Sequence, residues 1–150
     1  MKQLFVTLMI LAVTTFGLRA EDKDKKSGPM FKFKGGETHD FGTLKEGPAA
    51  EYNFEFTNNG NAPLIIQNAS ASCGCTVPQW PKEPILPGKK GTIKVTYTTQ
   101  GHVSPFDKTV FIQSNAVNNP NGAERYELHI KGTVVASEDP AKKAGDHPSN

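Results

Sequence analysis

From about residue 37 to 135 the apolar positions recur every second residue, and turn-forming residues interrupt them at short intervals. In EYNFEFT, Tyr52, Phe54 and Phe56 fall on one face, while Glu51, Asn53 and Glu55 fall on the other. Ile93, Val95 and Tyr97 alternate in the same way with Thr92, Lys94 and Thr96. Tyr126, Leu128 and Ile130 stand opposite Arg125, Glu127, His129 and Lys131. The runs LIIQNAS (64–70) and KTVFIQS (108–114) give two more strands, the second apolar on both faces at its centre. THDFGTL (38–44) and a short strand around Cys75–Val77 bring the total to about seven. Asn59-Gly60 supplies residues that tolerate a positive φ in the turn after Phe56. One-sided alternation with these connections predicts an all-β fold, an antiparallel sandwich in which each sheet wets one face; a small barrel is the competing architecture.

One connection has a different period. Pro78, Pro81, Pro84 and Pro87 recur every third residue, the repeat of a polyproline II helix. The segment is expected to run extended, as a rigid crossover between the two sheets or as a PxxP ligand for a partner.

The ends read differently from the middle. Residues 1–20 carry Lys2 and then an apolar run from Leu4 to Phe16, the layout of a signal peptide and too short for a comfortable membrane span. Cleavage fits after Ala20 or after Gly17, with an uncleaved anchor as the alternative. No cysteine lies nearby to accept a lipid. Residues 21–36 are expected to be a flexible polar tether, 37–135 the domain and 136–150 a disordered tail. The protein would then be exported to the periplasm, cell surface or medium, without a membrane span after cleavage.

Loss of residues 1–20 removes Lys2 and Arg19 from 17 basic residues and leaves all 15 acidic ones, so the mature chain is formally neutral. A phosphate-binding surface needs a clustered positive excess, and nucleic acid is therefore not an expected partner.

Cys73 and Cys75, in ASCGCT, are the only cysteines of the 150 residues, so no bridge can join distant strands. Four states are open to them: a mutual bridge, two buried thiols, a metal site, or a bridge to another chain. On an extended strand, residues i and i+2 lie about 6.6 Å apart, at the upper limit for a disulfide, and Gly74 would have to bend the chain. Such a bridge is expected to be strained and readily reduced. As thiolates the pair suits Cu(I), or half of a Zn²⁺ shell completed from His39, His102, His129 or His147. No regular spacing links those histidines to the cysteines. Trp80, between Gln79 and Pro81, is read as a plug at one end of the sandwich or as an exposed binding platform.

Nucleophile-elbow, phosphate-loop and zinc-protease motifs are absent, which argues against an enzyme. The segments HDFGTLKEG (39–47), FEFTNNGNAPLII (54–66), the run from Ala71 to Gly101 and the closing HIKGTV (129–134) together resemble the bacterial family named domain of unknown function 1573. That resemblance implies an immunoglobulin-like sandwich, similar to Hydin-type ASH and major-sperm-protein modules, and an exported bacterial protein. It marks Cys73-Gly74-Cys75 as a family signature without a role. The functional expectation is a non-catalytic binding module for an envelope protein or glycan. Loops 99–107 and 115–124 would form the contact surface, with Trp80, His102 and Phe106 as partner-binding residues. A redox or Cu(I) site at Cys73 and Cys75, and a structural envelope role, are the alternatives.

Overall fold

The computed structural model describes residues 27–120 and 123–137. Eight strands run in chain order: β1 (Phe31–Phe33), β2 (Thr38–Lys45), β3 (Ala50–Asn58), β4 (Ile66–Ala71), β5 (Thr76–Gln79), β6 (Lys90–Tyr97), β7 (Pro105–Ser114) and β8 (Tyr126–Val135). They form two four-stranded sheets, β1-β3-β6-β5 and β2-β8-β7-β4. The alternation in the sequence is the cause. Phe54, Phe56, Ile93, Val95 and Tyr97 point inward from the first sheet, and Val110, Ile112, Leu128, Ile130 and Val134 from the second, all buried. Each such side chain contributes about 1.5–3 kcal/mol through removal from water. The expected sandwich is the observed fold.

Four details differ from the sequence reading. The chain is ordered ahead of residue 37, because Phe31 is buried and β1 pairs antiparallel with β3. Phe31 packs edge-on against Phe56 and Tyr126, both at 5.0 Å between centroids, so the stretch read as tether carries a core residue. Second, β2 pairs with β8 in parallel, its register shifting between Asp40 and Thr43. There Gly42 has φ 64° and donates its N–H to the Asp40 carboxylate, as a bulge requires.

Third, the proline segment is no crossover between sheets. Pro78 lies within β5, and residues 80–89 link β5 to β6 in the same sheet. An edge strand tolerates proline where the missing N–H would face outward. Ile85 bridges to Leu64, and burial of both draws the segment onto the core. It ends in a turn from Leu86 to Lys89, where Gly88 takes φ 76° after Pro87. Fourth, the chain changes sheets between β4 and β5, at the cysteines. The expected signal segment and most of the expected tail lie outside the described residues.

Candidate functional site: the cysteine corner and the β4 edge

Cys73 and Cys75 are joined in a disulfide, with their Cα atoms 5.3 Å apart. That separation falls within the ordinary range, so the strained geometry expected of an extended strand does not arise. The reason is local. The Thr76 N–H donates to the Cys73 carbonyl at 3.4 Å, so the motif is a tight turn and not a strand. The turn is anchored on both sides by backbone bonds, Ser72 N–H to the Thr109 carbonyl at 2.9 Å and Thr98 N–H to the Cys75 carbonyl at 2.8 Å. Both cysteines are half-buried, Cys75 against the core. Thr76, buried, places its hydroxyl oxygen 3.6 Å from Cys73 Sγ and 3.9 Å from Cys75 Sγ. A bridged sulfur has no hydrogen, so in any such contact the hydroxyl is the donor.

The zinc expectation has no ligand set behind it: among the described residues, no three His, Cys, Asp or Glu side chains converge. His39 stacks flat on Tyr52, 3.5 Å between ring centroids, and has Phe41 at its edge. Burial of the ring holds the His39 pKa below its ordinary value, against the opposing pull of Asp40. His129 meets the Thr109 hydroxyl at 3.3 Å on the outer face, and His102 lies in an exposed turn. His147 falls outside the described residues.

The expected contact residues fare unequally. Phe106 is buried and stacks on Tyr97 at 4.0 Å, so it belongs to the core and not to a contact surface. β7 starts at Pro105, inside the stretch 99–107 whose sequence predicts a loop. Trp80 is half-buried against the core with the Lys82 ammonium over its ring, and His102 is exposed. Loop 115–124 is partly structural. Asn115 accepts from the Ile65 N–H and donates to the Pro63 carbonyl, and Asn118 brackets Phe31.

The four sheet edges also differ. On β1, the outward groups of Pro29 and Phe31 are taken by residues 117 and 118: Val117 N–H bonds the Pro29 carbonyl, and the Asn118 amide bonds both polar groups of Phe31. On β5 the outward positions are Thr76, whose N–H serves the turn, and Pro78, which has none. The β2 edge is broken by its bulge and dressed with Asp40 and Lys45. β4 is different. Ser72 faces β7, so by alternation Ala71 and Ala69 turn their backbone groups outward, and among the described residues no strand lies on that side. No Asp, Glu, Lys or Arg stands between Glu55 and Lys82, a span that holds β4, the corner and β5. That uncharged window is a signal in the sequence that the alternation reading passed over.

A family profile described as "Protein of unknown function (DUF1573)" matches residues 31–134. The chain belongs to this family. No curated protein matches in sequence. Among solved structures, a protein of unknown function from Porphyromonas gingivalis W83 superposes with a TM-score of 0.61 at 15% identity, over 71% of this chain and 47% of that one. This DUF1573 chain thus spans about half of that protein's length. The ASH / PapD-like domain of human CEP192 gives a TM-score of 0.57 at 10% identity, over 72% of this chain and 87% of that one. The secreted serine protease VesC from Vibrio cholerae gives 0.50 at 18% identity, over 74% of this chain and 24% of that one. At these identities the likeness is one of fold: the DUF1573 domain is an immunoglobulin-like, PapD-like β-sandwich.

Proposed function

We propose that this DUF1573 protein is a non-catalytic, exported binding module that receives an extended segment of a partner protein along β4. The observation that carries this reading is the β4 edge, which from Asn68 to Ser72 is uncharged and, among the described residues, has no strand on the side away from β7. Backbone donors and acceptors at strand spacing match another backbone, which favours a protein over a glycan. Ala69 and Ala71 add no bulk that would hold an incoming strand away. The export expected from residues 1–20 would put that partner in the periplasm, at the cell surface or in the medium.

The test places a photo-crosslinking residue at Gln67 on β4 and, as a control, at Thr43 on β2, in the cell that exports the protein. The crosslinked species is identified, produced separately and titrated against wild type and Ala71→Pro. Proline removes one outward N–H, as Pro78 already does on β5, and circular dichroism checks the fold. The reading predicts crosslinking at Gln67 and at least tenfold weaker binding by Ala71→Pro. A second copy of this chain in the crosslink would make the function self-association. Crosslinks at Thr43 alone, or unchanged binding by a folded Ala71→Pro, would overturn the proposal.

A further inference from the structure

A structural disulfide acts chiefly by restricting the unfolded chain, and its effect grows with the loop that it closes. Cys73 and Cys75 enclose a single glycine, and they join two strands whose ends are already fixed by the backbone bonds of Ser72, Thr76 and Thr98. The bridge therefore contributes little that the fold does not already have. Its surroundings suit chemistry better. Neither cysteine is fully buried, and the Thr76 hydroxyl lies within reach of both sulfurs. Gly74 is exposed, and a Cβ built on it would meet nothing within 4 Å. Neither crowding nor a left-handed φ requires glycine there, so its effect is to leave the approach to the bridge clear. No carboxylate lies on the corner, β4 or β5 to repel an arriving thiolate.

We propose that Cys73–Cys75 is a thiol–disulfide exchange site whose substrate is a protein or peptide dithiol. Cys75 packs on the core, which leaves Cys73 as the sulfur open to attack. A substrate thiol loses its proton, and the resulting thiolate attacks Cys73 Sγ. A substrate–Cys73 bond forms, the Cys73–Cys75 bond breaks, and the electron pair leaves on Cys75 Sγ. The Thr76 hydroxyl donates to that developing thiolate, which is then protonated. The second substrate thiol loses its proton and attacks the substrate sulfur of the mixed disulfide, releasing Cys73 as a thiolate that takes up a proton. Two electrons and two protons pass from the dithiol to the corner, and the substrate leaves as a disulfide. This inference stands apart from strand addition at β4, since it uses different atoms.

The test uses the full exported protein, purified without reductant and equilibrated with mixtures of reduced and oxidised dithiothreitol. Alkylation and intact mass count the thiols, and circular dichroism follows the fold. The expected result is a two-electron transition between zero and two alkylated thiols with the fold unchanged. Thr76→Val should slow reduction by roughly tenfold, the loss of one hydrogen bond to a charged sulfur, and Thr76→Ser should restore it. Gly74→Leu should slow it without altering the denaturation midpoint. In single-cysteine variants, glutathione disulfide should modify Cys73 in Cys75→Ser faster than Cys75 in Cys73→Ser. Reduction only after denaturation would overturn the proposal, as would rates unchanged in folded Thr76→Val and Gly74→Leu. A faster reaction at Cys75 would overturn the order of attack.

Discussion

Asn118 holds Phe31 by both of its backbone polar groups: Oδ1 accepts from the Phe31 N–H at 3.0 Å, and Nδ2 donates to its carbonyl at 2.8 Å. A side-chain amide here does the work of a neighbouring strand, on the edge where a strand of three residues would otherwise face water. Asn118→Ala is expected to lower unfolding free energy by about 1–3 kcal/mol, the loss of two partly buried bonds. Urea titration reads this directly, and the loss should be matched by faster amide exchange across residues 28–33. No change in midpoint would show β1 to be held by Phe31 packing alone.

Asn58 is more deeply committed. It is buried, its Oδ1 accepts from Met30 and Gly60, and its Nδ2 donates to the Ala62 and Ile85 carbonyls, the latter two at 2.8 Å. Four backbone groups from three segments meet on one side chain. Asn58→Leu leaves two carbonyls and two N–H groups without these partners, at about 1–3 kcal/mol for each group that water cannot reach. The variant is expected to be largely unfolded at 37 °C by circular dichroism, whereas Asn59→Ala should be close to neutral.

Gly60 passes directly under the start of the described chain. A Cβ at this position would collide with the Gly28 carbonyl, the Met30 nitrogen and the Pro29 Cα, all of them backbone or backbone-adjacent atoms that no rotamer change can move. Gly60→Ala should therefore cost several times the ordinary helix- or turn-propensity difference, on the order of 2–4 kcal/mol, and release residues 27–30 first. Limited proteolysis near Met30 distinguishes that local release from global loss.

The stacked pair His39 and Tyr52 predicts a response to acid. Desolvation lowers the His39 pKa below 6.5, so the unfolded chain takes up the proton first. The contribution is complete above the unfolded value and is lost as pH falls through the folded one. Stability measured from pH 7 to pH 5 should decline, and His39→Phe should flatten that limb while keeping the stack on Tyr52. An identical acid slope in the variant would assign the decline to other groups.

Most of the sandwich was legible because burial imposes a period of two: Phe54, Ile93 and Leu128 announce their strands by what lies on either side of them. β1 was not, since FKF is too short to show alternation and follows the polar run EDKDKKSG. The parallel pairing of β2 with β8 depends on a partner some ninety residues away, which no local pattern reports. Phe106 was misplaced because Ser104-Pro105 reads as a turn, yet the proline opens a strand. At the site, the cysteines themselves were plain, but the bond between them depended on a turn closed by Thr76 and Cys73, a backbone contact invisible in residue types.

Pro78 and the Asn118 clamp both act against strand addition to the first sheet, and leave the second as the one to consider. Were two copies to pair through the regular stretch of β4 from Asn68 to Ala71, each would present its own β4 to the other. Such a pairing would be a closed two-fold pair. Its outer rims would be the two β2 edges, each interrupted by the bulge between Asp40 and Thr43, so such an assembly would stop at two copies and not grow into a fibre.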